Sequence, residues 1–228
     1  SLGDVDLSGM TTASTTALTL SNDTTTGITA TLGDGADTFV GTGGADNITA
    51  SLGADTITAG SGDDVITITE ATGSKSVDNL IFSTIAANGN DVITGFTAAA
   101  GGDTIDVQNL GGTGTANDVA ADAGIQNVTD NDAYIFADGN DGTGAGAANQ
   151  IADYTDMTDV AAFLEAGLAA AASDVYVAVI NDLVTDKAYV YSAVDTGDAT
   201  IRAAEVTLHG TITMDTADTV LVAANVVV

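Results

Sequence analysis

The sequence lacks cysteine, proline and tryptophan, and it has only three basic residues against 32 acidic ones in 228 residues. Without cysteine there are no disulfides and no thiolate metal sites, so other interactions must stabilise the fold. The formal net charge of −29 excludes nucleic acid and anionic membrane surfaces as partners, because attraction to either depends on lysine and arginine. No run of 18 apolar residues occurs, and we therefore expect no membrane insertion.

The acidic composition is nevertheless not that of a disordered tail. Hydrophobic residues make up 45% of the chain, which is enough to form a core. All but three of the acidic residues are aspartate, which is a good turn residue and a hard-oxygen ligand. Because so few basic residues can pair with them, we expect Ca²⁺ as a cofactor. The chain begins at Ser1 without a charged-then-apolar leader, and we expect it to be a segment of a longer protein.

Residues 32–67 consist of four consecutive nonapeptides, LGDGADTFV, GTGGADNIT, ASLGADTIT and AGSGDDVIT. Glycine, aspartate and a large apolar residue recur in the same three positions, giving the pattern G-G-x-G-x-D-x-U-x. The aspartates are Asp37, Asp46, Asp55 and Asp64, and the apolar residues are Phe39, Ile48, Ile57 and Ile66. Each unit is predicted to form a glycine-rich turn followed by a three-residue strand whose middle side chain alone points inward.

Two units of 18 residues complete one coil of a solenoid, so turns 18 residues apart should stack. This pairs Asp37 with Asp55 on one side and Asp46 with Asp64 on the other. At a strand spacing of ~4.8 Å two unscreened carboxylates repel by roughly 3 kcal/mol at an effective dielectric of 20. A calcium ion between the turns reverses that sign, and backbone carbonyls complete its shell of six to eight oxygens. The alternative is an aspartate turn that contains no metal. The further candidate metal-binding positions in these turns are Asp34, Ala36, Gly43, Ala45, Gly53 and Gly62.

The flanks of the repeats continue the same pattern less regularly. Residues 1–31 contain short alternating patches and are predicted to be solenoid strands that continue from upstream. Residues 88–107 form the closing flank of a solenoid domain that spans 32–107, and there Asp91 and Asp103 are candidate ligands or plain turn formers.

The remaining residues, 108–228, are predicted to form a smaller α+β cap. Its helix spans 156–172, with Thr155 or Asp156 as the N-cap. Strands are predicted at 133–138, 175–180, 187–194, 205–212 and 220–228, with a turn at Asn181–Asp182, and the last strands form an antiparallel meander packed against the helix. Residues 138–142 resemble the start of an EF-hand loop but lack its twelfth-position glutamate. The fold class is therefore mainly β.

The sequence offers little for catalysis. Its one histidine, His209, lies in a predicted strand between Leu208 and Gly210, and we expect a structural role for it. The metalloprotease, serine hydrolase, phosphate-loop and dinucleotide motifs are all missing. We therefore expect a protein that is not an enzyme.

The nonapeptides resemble those of RTX proteins, and residues 88–107 resemble that family's closing flank. The resemblance implies a calcium-binding parallel β-roll, export by the type I secretion machinery through an uncleaved C-terminal signal, and an extracellular location. The cysteine-free, lysine-poor composition and the C-terminal organisation resemble RTX-type surface-layer proteins such as that of Caulobacter, which implies self-association into a lattice on the bacterial cell surface. An RTX adhesin or biofilm-matrix protein, or the secretion and folding module of an RTX protease or lipase, is the alternative.

Overall fold

The computed structural model describes residues 4–10, 16–20, 25–71, 75–98, 101–119, 126–127, 129–138, 151–169, 174–196, 200–215 and 220–228. Within these residues the protein is mainly β. The strands of the first half are β1 (Val5–Asp6), β2 (Ala17–Thr19), β3 (Thr29–Thr31), β4 (Thr38–Val40), β5 (Asn47–Ala50), β6 (Thr56–Thr58), β7 (Val65–Ile68), β8 (Asn79–Ile81), β9 (Asp91–Phe96) and β10 (Thr104–Asp106). The elements of the second half are β11 (Ala116–Val119), β12 (Gln126–Asn127), β13 (Ala133–Asp138), the helix α1 (Met157–Gly167), β14 (Leu168–Ala169), β15 (Val175–Asp182), β16 (Lys187–Val194), β17 (Val206–Met214) and β18 (Val226–Val227).

The first half is a parallel β-roll of two facing sheets. One sheet contains β1, β3, β5, β7 and β9 in that order, and the other contains β2, β4, β6, β8 and β10. Phe39 pairs with Ile57, and Ile48 with Ile66, so neighbouring coils of the repeats are 18 residues apart. The predicted two-unit coil is therefore confirmed.

The interior of the roll contains one apolar side chain from the middle of each of β3, β4, β6, β8 and β10, and two from each of the four-residue strands β5 and β7. Phe39, Ile48 and Ile57 are fully buried, while the residues on either side of Ile57 are only partly so. Burying each such side chain contributes about 1.5–3 kcal/mol. A three-residue strand buries only one such side chain, because alternate side chains point to opposite faces of the sheet.

The larger sheet of the roll continues into the C-terminal region. Strand β9 pairs in parallel with β17, with Ile93 opposite Ile212, and the sheet then runs through β16, β15, β13 and β11. The smaller sheet is extended by β18, whose Val226 pairs with Ile105 of β10. The terminal segment, predicted as one strand over 220–228, instead contains a 3-10 turn at 223–225 before this short strand.

Strands β15, β16 and β17 form the predicted antiparallel meander, and β13 lies at its predicted position. The turn predicted at Asn181–Asp182 is wrong, because both residues belong to β15 and the turn is formed by residues 183–186. The Asn181 amide explains the difference. It is buried, where it donates to the carbonyl oxygens of Phe136 and Leu221.

The helix begins where predicted and ends earlier. The Asp156 carboxylate caps its first turn by accepting the Thr158 N–H at 2.8 Å. The predicted end at residue 172 is wrong, because Leu168 already pairs with β12 in a two-stranded sheet; residues 170–172 lie outside the described residues. Val160 and Leu164 pack with Tyr176 of the meander in a second apolar cluster. In the described part of the chain, no helix has the length and apolar character needed to cross a bilayer.

Candidate calcium-binding turns

The turns of the roll form two stacks, one on each side. The first stack lies before the strands of the smaller sheet, and its described residues are 32–37, 51–55, 69–71, 75–78, 97–98 and 101–103. The second lies before the strands of the larger sheet and contains residues 41–46, 59–64 and 82–91. Each of these turns ends in a buried aspartate.

In the first stack the aspartates form a continuous chain of hydrogen bonds, which we call the first aspartate ladder. The backbone N–H of Asp37 donates to Asp55 Oδ1 at 2.8 Å, and the N–H of Asp55 donates to Asp78 Oδ1 at 2.7 Å. The N–H of Asp78 donates in turn to Asp103 Oδ1 at 2.9 Å. Each carboxylate thus ties its own coil to the preceding one.

The second aspartate ladder repeats this arrangement on the other side of the roll. The N–H of Ile28 donates to Asp46 Oδ1, the N–H of Asp46 to Asp64 Oδ1, and the N–H of Asp64 to Asp91 Oδ1, at 2.8–3.1 Å. The predicted pairs Asp37–Asp55 and Asp46–Asp64 are therefore neighbours in the structure, and Asp91 and Asp103 are members of the ladders.

The ladder aspartates fall into two groups, according to whether the second carboxylate oxygen accepts a hydrogen bond. In one group it accepts a further hydrogen bond, as for Asp37 from the Gly33 N–H at 3.1 Å and for Asp46 from the Thr42 N–H at 2.7 Å. In the other group it is buried and accepts no hydrogen bond; this group is Asp55, Asp64 and Asp78. A buried carboxylate oxygen without a partner is costly, so these three positions are where a cation is needed.

The pKa values of these three aspartates also indicate that a cation is needed there. Burial raises the pKa of Asp55 to about 7 and those of Asp64 and Asp78 to about 8, and repulsion from neighbouring carboxylates adds to the effect. Burial also raises the pKa of Asp91 to about 7 and that of Asp103 to about 6. In the metal-free ladders Asp64 and Asp78 are therefore mainly protonated at pH 7, because ionising these buried carboxylates carries a considerable desolvation cost.

Glycines bring carbonyl oxygens of adjacent turns close to these aspartates. Gly53, Gly60 and Gly62 have φ of 114°, 120° and 103°, which side-chain-bearing residues rarely adopt. A Cβ at Gly60 would overlap the carbonyl oxygen of Thr42, and one at Gly53 would overlap that of Gly35. The space between stacked turns is thus narrow and lined by backbone carbonyls.

These features fit Ca²⁺, which binds carboxylate and carbonyl oxygens together. Among the described residues no three acidic or histidine side chains converge as a metal site. Backbone carbonyls must therefore supply much of the coordination between two stacked carboxylates. A bound ion would neutralise the buried charge and join consecutive coils.

The other predicted ligand positions lie in the same turns. Asp34 is half-buried, and its N–H donates to the Met10 carbonyl. Ala36 is exposed, and Gly43 and Ala45 lie in the turn before Asp46. Their roles as carbonyl ligands stay predictions. In the EF-hand-like segment, residues 139–142 lie outside the described residues.

Asp78 was missed by the sequence reasoning. Its spacing from Asp55 is 23 residues, not the 18 of the regular repeat. The signal that would have found it is local: Asp78-Asn-Leu-Ile repeats the aspartate-and-strand half of the second nonapeptide, Asp46-Asn-Ile-Thr.

His209 lies at the junction of the roll and the meander. It is fully buried in β17, with Nε2 2.8 Å from Ser192 Oγ, and burial lowers its pKa to about 4. The Asn88 amide donates to the His209 carbonyl at 3.0 Å and to Asp91 Oδ2 at 2.9 Å, and so links the meander to the second ladder.

The comparisons with known proteins agree with this geometry. The family model of the RTX calcium-binding nonapeptide repeat matches residues 31–66 in four copies. A search of curated proteins gives no match. The chain therefore carries RTX calcium-binding repeats folded as a β-roll, and these repeats imply that it binds calcium.

Proposed function

We propose that this chain is a calcium-dependent structural protein of the cell exterior, and specifically part of a bacterial surface-layer lattice. The observation that carries the proposal is the group of three buried carboxylate oxygens without partners, at Asp55, Asp64 and Asp78. These carboxylates join the coils of the roll, so an ion bound to them acts on the fold itself. No catalytic role is proposed.

Calcium binding would be coupled to folding. The turns that hold an ion exist only when the coils are stacked, so the binding free energy is added to that of folding. In the low-calcium cytosol the roll would remain unfolded and suited to export through a type I channel, and it would fold in the calcium-rich exterior. Residues 1–107 should accordingly be largely disordered in chelator and rich in β structure in millimolar Ca²⁺.

Circular dichroism in EDTA and then in CaCl₂ tests this coupling. A spectrum that is the same in both conditions would contradict the calcium-folded roll. Asp55→Ala should raise the calcium midpoint more than Asp34→Ala, because only Asp55 belongs to a ladder.

The lattice is supported by charge and composition. At a net charge of −29 isolated chains repel one another, and divalent ions at contacts between acidic faces would reverse this. Light scattering and negative-stain microscopy in CaCl₂ should therefore detect ordered sheets that NaCl of equal ionic strength does not produce. A folded chain that stays monomeric in calcium favours an RTX adhesin or an enzyme's folding module.

Export is tested separately in a strain with type I secretion. Deleting residues 170–228 should leave the protein inside the cell, because the proposed signal lies there. The control is a full chain with Asp55 and Asp64 both changed to Ala, which disturbs the roll and keeps the C-terminal region; it should still be secreted. Normal secretion of the truncated chain would eliminate the type I proposal.

A further inference from the structure

Asn88 and Gly89 form the only Asn-Gly dipeptide in the sequence. In such a pair the backbone nitrogen of the glycine can attack the side-chain carbonyl carbon of the asparagine, because the glycine has no Cβ to obstruct the approach. A bond forms between Gly89 N and Asn88 Cγ, the bond between Cγ and Nδ2 breaks, and the amide leaves as ammonia with the backbone proton. Water then opens the resulting succinimide at either carbonyl and yields aspartate or isoaspartate.

The turn between β8 and β9 requires both residues of this pair. Gly89 has φ of 78°, and a Cβ there would overlap the carbonyl oxygen of Gly62 in the adjacent turn. Asn88 joins the roll to the meander, since its amide donates to Asp91 Oδ2 in the second ladder and to the His209 carbonyl in β17. Replacing either residue would therefore remove a contact on which the turn depends.

The same contacts protect Asn88 in the folded chain. The residue is 1% exposed, so water has little access to its side-chain carbonyl carbon. Its Oδ1 accepts the Ser83 N–H at 2.6 Å, and its Nδ2 donates at 2.9 Å to Asp91 and at 3.0 Å to His209. The attack by Gly89 N requires the side chain to rotate out of these three hydrogen bonds. The reaction therefore requires the turn to open, and this protection is lost when the roll unfolds.

The product of the reaction cannot replace Asn88 in these contacts. An ionised aspartate has no donor, so its carboxylate would face the Asp91 carboxylate and the His209 carbonyl oxygen with no proton between them. The two carboxylates would also repel each other. Isoaspartate in addition lengthens the main chain by one carbon, at a turn where Gly89 fits closely against Gly62. Either product would weaken the connection between the second aspartate ladder and β17.

We propose that Asn88–Gly89 is a deamidation site that folding protects, so that a chain left unfolded progressively loses the ability to fold. The site follows from the sequence and the turn, whereas calcium as the agent that protects it rests on the proposed function. A chain that folds promptly in calcium keeps Asn88. A chain that waits without calcium acquires aspartate or isoaspartate at this position, and the modification is a covalent record of the time spent unfolded.

Peptide mapping by mass spectrometry measures the rate at which residue 88 changes from amide to carboxylate. The wild type is incubated at pH 8 in CaCl₂, in EDTA, and in CaCl₂ with denaturing urea. We expect the rate in CaCl₂ to be lower than that in urea by a factor of about ten or more, because reaction in the folded chain requires local opening. The rate in EDTA should be close to that in urea.

Two controls isolate the chemistry from the packing. Gly89→Ala in urea adds a Cβ beside the attacking nitrogen in a chain that is already unfolded, so its rate should fall below that of the wild type. Asn109, which is exposed in the folded chain and precedes Leu110, should react slowly in all three solutions. Equal rates at residue 88 in CaCl₂ and in urea would overturn the protected site. Slow reaction in EDTA with fast reaction in urea would uphold the site and contradict calcium-dependent folding instead.

Refolding tests the consequence of the modification. Wild-type chains held in urea for increasing times are diluted into CaCl₂, and the fraction that regains the β-sheet signal should fall as the deamidated fraction rises. Asn88→Asp, which carries the aspartate product from the start, should unfold at a lower urea concentration than the wild type in CaCl₂. Asn47→Asp adds the same charge at an exposed position of β5 and should match the wild type. Full recovery of deamidated chains, or wild-type stability of Asn88→Asp, would overturn the proposed loss of folding.

Discussion

Replacing Asp55 by asparagine should have opposite effects on stability with and without calcium. Asparagine keeps an oxygen that can accept the Asp37 N–H, so the ladder hydrogen bond is retained. It removes the charge of a carboxylate whose second oxygen is buried without a partner. In chelator this change should stabilise the roll, whereas in calcium it removes a charged ligand.

The magnitude follows from the environment of Asp55. Burial raises its pKa from 3.8 to about 7, so at pH 8 the ionised form costs about 4 kcal/mol at ~1.4 kcal/mol per pKa unit. The buried amide NH₂ of asparagine, which has no acceptor, offsets about 1–3 kcal/mol of this. We expect a net gain of about 2 kcal/mol in EDTA, which corresponds to a rise in Tm of ~4–8 °C. In calcium at 100 times Kd, loss of the ion costs about 2.7 kcal/mol.

The assay is thermal and urea unfolding at pH 8 in EDTA and in CaCl₂, followed by circular dichroism. If the metal-free wild type is largely unfolded, the stabilisation by Asp55→Asn is measured as an increase in the β-sheet signal of the variant over that of the wild type in EDTA. Asp37→Asn is the matched control. Both Asp37 oxygens accept N–H groups, so its substitution should destabilise the roll in both conditions. A loss of stability for Asp55→Asn in EDTA as large as that of Asp37→Asn would refute the reasoning.

Three further predictions follow from the same structure. In chelator the roll should be more stable at pH 5 than at pH 8, because the folded chain holds the protons of Asp64 and Asp78 up to a pKa of about 8. The stability that these raised pKa values contribute is complete below about pH 4 and is lost as the pH rises through 8. Urea midpoints that stay constant from pH 5 to pH 8 would contradict this prediction, because carboxylates with ordinary pKa values bind protons equally in the folded and unfolded chain. Asn88→Ala, which removes three hydrogen bonds, two of them buried, should cost about 2–4 kcal/mol, measured by urea unfolding in calcium; a two-step transition would show the meander separating from the roll. Gly60→Ala should cost ~2 kcal/mol or more through its positive φ and the overlapping carbonyl, whereas Gly9→Ala, with open space around it, should leave Tm within about 2 °C.

The nonapeptide pattern alone was sufficient to predict the regular part of the fold. An aspartate after a glycine-rich turn and one inward apolar residue per strand are local requirements, and they recur every nine residues. The coil of 18 residues, the inward position of Phe39 and the pairing of Asp37 with Asp55 all follow from that period. The antiparallel meander could be predicted for a similar reason, because strand alternation is also local.

Tertiary structure decided the parts that have no period. Successive ladder aspartates of the later coils are 23, 25 and 27 residues apart, so the 18-residue period does not predict that Asp78 continues the first ladder. The parallel pairing of β9 with β17 joins residues more than a hundred positions apart, and no local pattern encodes it. The turn after β15 lies beyond Asn181, because the buried Asn181 amide donates hydrogen bonds to carbonyl oxygens of two distant segments. Local sequence fixes turns and inward positions, whereas the partners of a strand edge or a buried polar group depend on which segments the whole chain brings together.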